Sequence, residues 1–464
     1  MTPEMMIMIS DSNPTLALAE YVVAARAADL PENVERQAVR TFLNIVGCAL
    51  GGARHESVET AVRALLKYSG PPDATLIGRG QRCDIFLASL LNAMSSSVYS
   101  FDDTHAQAVV HPGGAVAMAM LALAEVRPVK GADFLLAFAL GTEVVCRISK
   151  AISVAPARTK AGWIQTGVTA GLGAAVGVGK LLGLNAQRLS WAMGIAACQA
   201  GGMRALTRSM CFSFMAGQAA QAGLRAALMS EQDFTSGADV LGAKSGFAEL
   251  YSDEANLAVL TDGLGSKFEI LDNTFKPYPC GVVIHPVIDA CLELGSQHAI
   301  DIQTIKRVSI KVNPTAMSVA DIRHPQDSFE GQMSLQHWAA AALVDNAAGI
   351  AQSRVDKLRQ PSIVALRGKI DLVKDAAMAR DASEVTISFE SGNVMAHRVE
   401  HCRGGAARPM TDDELERKFR DQAREALPAA SIDALLEACR TLSQLDDMGE
   451  IARAAAGAET PAAV

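Results

Sequence analysis

No long basic run occurs anywhere in this 464-residue sequence. Lys and Arg number 42 against 50 Asp and Glu, a formal charge of -8, which argues against nucleic acid or an anionic membrane as the main partner. There is no CxxC pair and no Cys/His spacing suited to a metal. The nine cysteines, at 48, 83, 146, 198, 211, 280, 291, 402 and 439, are scattered and mostly lie in apolar stretches. An odd, scattered set fits reduced thiols in a cytosol better than a disulfide framework. The opening MTPEMMIMISDSNPT has no basic segment ahead of its short apolar run, so no secretory leader is expected. The most apolar stretches, 115–126 and 168–184, fall short of the roughly 20 residues that cross a bilayer. The expected location is cytoplasmic, with no membrane partner.

What the chain does have is length and apolar content. It is about three times a ~150-residue domain, enough for one large or two moderate domains with ample core. From 14 to about 257 it is rich in Ala, Leu, Val and Met at three- and four-residue spacing. That period predicts helices over 16–28, 34–50, 58–69, 86–97, 114–125, 132–151, 174–182, 185–199 and 215–230. Several are apolar nearly all round, as helices inside a large bundle must be. The character changes near 262. Segments 307–313 (RVSIKVN) and 384–389 (EVTISF) alternate apolar and polar residues as half-buried strands do. The turn at 390–393 allows 394–399 to return as a hairpin partner, and 334–343 reads as a helix. TDDE at 411–414 predicts a helix start, with helices over 415–426 and 432–442. The fold class expected is mainly α: an all-helical domain over 1–271 completed by 411–455, a smaller α/β domain over 272–410, and a disordered tail at 456–464.

Four groups of residues invite chemistry. The run GLGAAVGVGK at 171–180 resembles a phosphate loop, but no strand precedes it and leucine follows Lys180. Close helix packing by small residues explains it better. FDDTH at 101–105 followed by HPGG at 111–114 places two carboxylates, a hydroxyl and two imidazoles in one short segment of an apolar domain. Such a cluster needs partners or a purpose; the structural alternative is a capped helix start. TFKPYPCG at 274–281, followed by His285, holds Lys276 between hydrophobic residues and stiffening prolines. Desolvation there would make the lysine an acid or base near neutrality, whereas alone it reads as a surface lysine in a linker. Arg204 and Arg208, four apart, could share a helix face and clamp a carboxylate, although solvated arginines are the plainer account.

In this order the clusters resemble the MmgE/PrpD family, whose members include 2-methylcitrate dehydratases, cis-aconitate decarboxylases and iminodisuccinate epimerases. The resemblance runs through LAEYVVAARAADLPENVERQAVRTFLNIVGCALGG, FDDTH with HPGGAV, GVTAGLGAAVGVGKLLGL, GQAAQAGLRAALMS, FKPYPCGVVIHPVIDA and PMTDDELERKF. It implies that the α/β domain is a lid, that the protein is a homodimer, and that the active site uses no metal or organic cofactor. Matched residue by residue, Asp102, Asp103, Thr104 and His111 fall on the family's DDT and histidine positions, and Lys276 with Tyr278 on its lysine motif. Other positions depart: Ser100 stands where an acid is common, Ile164 where a histidine follows Gly162-Trp163, and Phe212 where a lysine is common. His337 replaces the last residue of an SLxY segment.

The resemblance implies a lyase acting on a small di- or tricarboxylic acid by removing a proton next to a carboxylate. His111 and Lys276 would be acid and base, Asp103 and Thr104 would orient His111 or the substrate, and Asp102, Tyr278 and Ser100 would line the site. The missing histidine and lysine remove up to two charge-assisted contacts of ~1.5–3 kcal/mol each. A tricarboxylate should then bind poorly unless Arg204, Arg208 or His337 compensates. Two alternatives remain: an epimerase using the same pair as two bases, and a non-catalytic carboxylate-binding relative.

Overall fold

The computed structural model describes residues 13–160 and 162–458. The chain forms two compact units. The first runs to Val98, resumes over Asp102–Asn273 and takes up the chain again from Leu415; the second comprises Tyr99–Phe101 and Thr274–Glu414.

The first unit is built from α1 (Pro14–Ala24), α2 (Glu32–Gly52), α3 (Glu56–Leu65), α4 (Ile85–Ser97), α5 (Gly113–Ala124), α6 (Gly131–Ser153), α7 (Gln165–Leu181), α8 (Ala186–Ala197) and α9 (Cys211–Glu231). Local chemistry starts several of them. Asp84 accepts the N–H groups of Phe86 and Leu87 at 2.9 and 3.0 Å to open α4, and Asn185 accepts from Arg188 to open α8. Every residue of α5 is buried, which accounts for a sequence with no polar face. Phe42 of α2 meets Phe134 and Phe138 of α6 edge-on, with ring centroids 5.1 and 6.1 Å away. Each ring contributes on the order of 1.5–3 kcal/mol of burial.

The glycine-rich run is helix α7. A Cβ on Gly173 would lie 2.5 Å from the Gly141 carbonyl oxygen of α6 and 2.2 Å from a Val145 methyl, and one on Gly223 of α9 would lie 2.4 Å from Ala174. Glycine at these points sets how close the helix axes come. Lys180 donates to the carbonyls of Val23 and Ala25 at 3.0 and 2.7 Å, closing the end of α1. The run is therefore packing, with its lysine as a cap. The helix begins nine residues before the 174 expected from periodicity, because the Gly-, Thr- and Ala-rich turns at 165–173 show no apolar stripe.

The second unit centres on a four-stranded sheet of β1 (Ile305–Val312), β2 (Ile370–Lys374), β3 (Ser383–Phe389) and β4 (Val394–Val399), in the order β4-β3-β1-β2. β3 pairs antiparallel with β1 and β4, and β2 runs parallel to β1. Alternation is strict in β3, whose residues are in turn buried and half-buried. Helices α10 (His285–Gln297), α11 (Leu335–Asp345) and α12 (Pro361–Arg367) supply Val287, Ile288, Trp338 and Ile363 to a core shared with Val308, Ile310, Val385 and Ile387. Strand β2 and helices α10 and α12 are absent from the periodicity reading. A parallel edge strand of five residues between turns is too short to show a period.

Near the end of the chain come α13 (Asp412–Ala423) and α14 (Ala429–Arg440). From Leu415 onward the chain packs on the first unit: Lys418 donates to Asn44 Oδ1 of α2 at 2.7 Å, and a Cβ on Gly47 would meet the Phe419 ring at 3.1 Å. The carbonyls of Ala455 and Ala456 accept the N–H groups of Gly78 and Gly80 at 2.7 and 2.6 Å, so the expected tail is held at its first residue. Residues 459–464 lie outside the described residues. No described helix is long and apolar enough to cross a membrane. All nine cysteines are free thiols, seven of them buried.

Candidate active site

The FDDTH…HPGG segment lies between α4 and α5. Asp103–His105 is a short extended stretch; the His105 N–H donates to the Val110 carbonyl at 2.9 Å, closing a loop that returns the chain to α5. Asp103 pins both ends of that loop. Its Oδ2 accepts the Gly113 N–H at 2.9 Å at the first residue of α5, and its backbone carbonyl lies 2.7 Å from His111 Nδ1. Both the capped-helix reading and the functional reading of the cluster thus describe the same residue. Gly113 leaves room for this: a Cβ there would lie 2.9 Å from Asp103 Oδ2.

His111 is half-buried. A carbonyl oxygen can only accept, so Nδ1 carries the ring proton and Nε2 is left as the basic atom. Thr104 Oγ1 stands 3.2 Å from Nδ1 and Asp102 Oδ1 3.6 Å, so any positive charge on the imidazole forms beside a carboxylate. The backbone N–H of His111 donates to Thr166 Oγ1 at 3.0 Å. Thr166 is in the first turn of α7, two residues after Ile164. The histidine missing from the family pattern would therefore have stood beside the residue that holds His111.

Asp103 is fully buried, with Asp102 next to it. Burial, and after it the Asp102 charge, pushes the Asp103 carboxyl up to about 7, against the hydrogen bonds from Asn273 and Gly113. Asn273 donates from Nδ2 to Asp103 Oδ2 at 2.7 Å and to Thr41 Oγ1 at 3.3 Å, while its backbone carbonyl accepts from Gln37 Nε2 at 2.7 Å. Asn273 and Thr166 were not foreseen from the sequence. The only hint at Asn273 is its position three residues ahead of Lys276.

His105 serves a different network. Its Nδ1 accepts the Ala108 N–H at 3.0 Å, and its Nε2 lies 3.0 Å from Glu269 Oε2. Glu269 also pairs with Lys150, while its N–H donates to Glu143 Oε2, whose other oxygen binds Arg147 at 2.6 Å. Burial opposes ionisation of Glu269, yet the bonds from His105 and Lys150 hold it down to about 2. His105, Glu269 and Asp272 are close enough together to hold a metal ion, but His105 Nδ1 is occupied by the Ala108 N–H and Glu269 is engaged with Lys150. This is a structural ion network.

In the second unit, Lys276 is 4% exposed and donates from Nζ to the Ser100 carbonyl at 2.8 Å. Ser100 has a left-handed backbone (φ 49°), which turns that carbonyl toward the lysine. The sequence placed Ser100 in the lining of the site; its backbone carbonyl is what contacts Lys276. Tyr278 is engaged elsewhere. Its hydroxyl donates to Asp289 Oδ1 and accepts from Arg403 Nη2 at 2.7 Å, and Asp289 also takes the Arg403 N–H at 2.6 Å. Burial, then the Asp289 charge, raises its pKa. Tyr278 therefore anchors the segment that carries Lys276.

Two expectations are corrected. His337 is wholly buried in α11, with Nε2 2.8 Å from the Gln352 carbonyl, and burial pushes its pKa down to about 4. It is a core histidine. Arg204 and Arg208 do not share a helix face: Arg204 opens a short 3-10 turn ending at Leu206, and both side chains are exposed. The glycines at 201 and 202 stop α8 from extending to them.

The MmgE/PrpD N-terminal domain matches residues 16–260, and the MmgE/PrpD C-terminal domain matches residues 278–442. Relatives include the cis-aconitate decarboxylase of Aspergillus terreus, 26% identical over 473 residues and 95% of each chain. The cis-aconitate decarboxylase of Homo sapiens is 25% identical over 467 residues, 96% of this chain and 95% of its own.

Proposed function

The chain belongs to the MmgE/PrpD family, and we propose that it is a cofactor-independent lyase that removes a proton next to a carboxylate of a small carboxylic acid. The observation that carries the reading is the fixed imidazole of His111. With Nδ1 tied to the Asp103 carbonyl, Nε2 is a base of defined direction, and Asp102 compensates the charge it gains. Removing a proton next to a carboxylate develops enolate-like charge, which needs a cation in a water-poor place. Lys276, buried and aimed by the Ser100 carbonyl, is the group for that task. In an elimination, His111 would return its proton to the leaving hydroxyl; in a decarboxylation the carbanion would form by loss of CO2 instead of a proton, and His111, starting protonated, would donate to that carbon.

The relatives' names make cis-aconitate the first substrate to try. Against it stand Ile164 and Phe212, apolar at positions where the family pattern carries histidine and lysine. Neither His337 in its core position nor Arg204 with Arg208 replaces them. Each lost charge-assisted contact weakens binding by ~1.5–3 kcal/mol, about 10- to 150-fold. A dicarboxylic acid therefore fits the remaining cations better than a tricarboxylate.

The test is incubation with a panel of di- and tricarboxylates, cis-aconitate included, in deuterated water, followed by proton NMR. Loss of substrate with formation of an alkene or a decarboxylated product is expected for at least one of them. Hydrogen exchange at the carbon next to the carboxylate without elimination would instead select an epimerase. Binding across the panel with neither exchange nor turnover would leave a non-catalytic relative.

A further inference from the structure

We propose that Asn273 is a positioning residue that sets the tautomer of His111, acting through Asp103. The inference rests on the role given to His111 above, but its main test needs no substrate. Asn273 is 3% exposed, and its side-chain amide binds Asp103 and Thr41. Its amide binds the same oxygen, Asp103 Oδ2, that accepts the Gly113 N–H at the start of α5. The Asp103 side chain is thereby held from two directions, by α5 and by the residue at which the chain first leaves that unit for the second. The peptide following Asp103 inherits that constraint, and its carbonyl receives His111 Nδ1 at 2.7 Å.

The alternatives around the ring show why this matters. Thr104 Oγ1, at 3.2 Å from Nδ1, can either donate or accept, so on its own it would allow both tautomers. The Asp103 carbonyl accepts only. If its peptide turned away, Nδ1 could accept from Thr104 and the proton would move to Nε2, removing the basic atom from the reactive side. Asn273 is itself fixed independently of Asp103, by Gln37 on its backbone carbonyl and Thr41 on its amide, so it can act as a reference point for the loop. It also lies three residues before Lys276 in the chain, so the same residue begins the segment bearing the second catalytic group.

The experiment is 15N NMR of the histidine rings in the full-length protein, with His111→Gln used to assign the resonances and spectra taken where the ring is neutral. The wild type is expected to show His111 as the Nδ1–H tautomer. Asn273→Ala should shift it toward a mixture or toward Nε2–H. Turnover of whichever acid the panel yields should fall about 10-fold or more through kcat, with KM changed less than about 3-fold. Should Asn273→Ala fail to fold, Asn273→Asp reads the same point: two carboxylates facing each other lose the bond when both are ionised and regain it when they share a proton. Its Nδ1–H signature should then return toward the lower end of the pH range in which the ring is still neutral. An unchanged Nδ1–H tautomer in a folded Asn273 variant would overturn the inference. The proposed function fails separately, if His111→Ala retains full turnover.

Discussion

As pH rises from 4 to 8, the stability of an Asp103→Asn variant should gain steadily on that of the wild type. The folded protein holds the Asp103 carboxyl at about 7, against an ordinary value of 3.8. Between these two values the folded state carries a proton that the unfolded state has released, so wild-type stability falls as pH rises through the window. Each pH unit is worth ~1.4 kcal/mol, so the whole window bounds the effect at about 4 kcal/mol. The amide is neutral throughout and contributes no such slope. It also keeps the local geometry, because its carbonyl can take both donors that Oδ2 takes now. Its NH2 would occupy the place of Oδ1, which has no hydrogen-bond partner among the described residues. The protonated wild-type carboxyl faces the same deficit there, so the two proteins should match near pH 4. Buried His55 and His337, both pushed down to about 4, titrate in the same window with the opposite slope, but they are common to both proteins and cancel in the difference. With roughly 1–2 °C per kcal/mol for a unit of this size, the melting-temperature gap should open by about 4–8 °C between pH 4 and pH 8 in scanning calorimetry. Parallel curves for the two proteins across that range would refute the buried, high-pKa carboxyl.

His111→Ala and Lys276→Ala should each lower turnover at least ~100-fold while leaving the circular dichroism spectrum intact. Full activity in either alanine variant, measured in the deuterium assay, would remove that residue from the mechanism. Gly173→Ala drives a methyl into the Gly141 carbonyl and Val145, and should cost about 1–3 kcal/mol in thermal stability. A neutral result would mean that α6 and α7 can separate freely. Tyr278→Phe leaves Asp289 and Arg403 without their shared hydroxyl; it should destabilise the second unit by ~1–3 kcal/mol, visible as earlier proteolysis, and lower turnover less than Lys276→Ala does.

How much of this was legible in the sequence depends on the kind of interaction involved. Helices such as α2, α4, α5, α6 and α9, and the β3–β4 hairpin, were readable because a 3.6- or 2-residue period and a turn are local properties of neighbouring residues. So was the concentration of Asp102, Asp103, Thr104 and His111 in one apolar stretch, since polar clusters there stand out against their surroundings. The parallel pairing of β2 with β1 was not, because it depends on residues some sixty positions apart whose segments carry no joint pattern. Nor were the fates of single polar residues. His337 and Tyr278 look in the sequence like Lys276, a lone polar group among apolar neighbours. Only the fold gives the first the Gln352 carbonyl and a core position, the second Asp289 and Arg403, and gives His111 the Asp103 carbonyl. The sequence by itself determined most of the helices of the first unit, the β3–β4 hairpin and where the chemically capable residues are concentrated. Which of those residues are bound into the core, and which oxygen faces which ring nitrogen, was decided by tertiary packing, because hydrogen bonds are won by proximity in space and the competing partners come from distant parts of the chain.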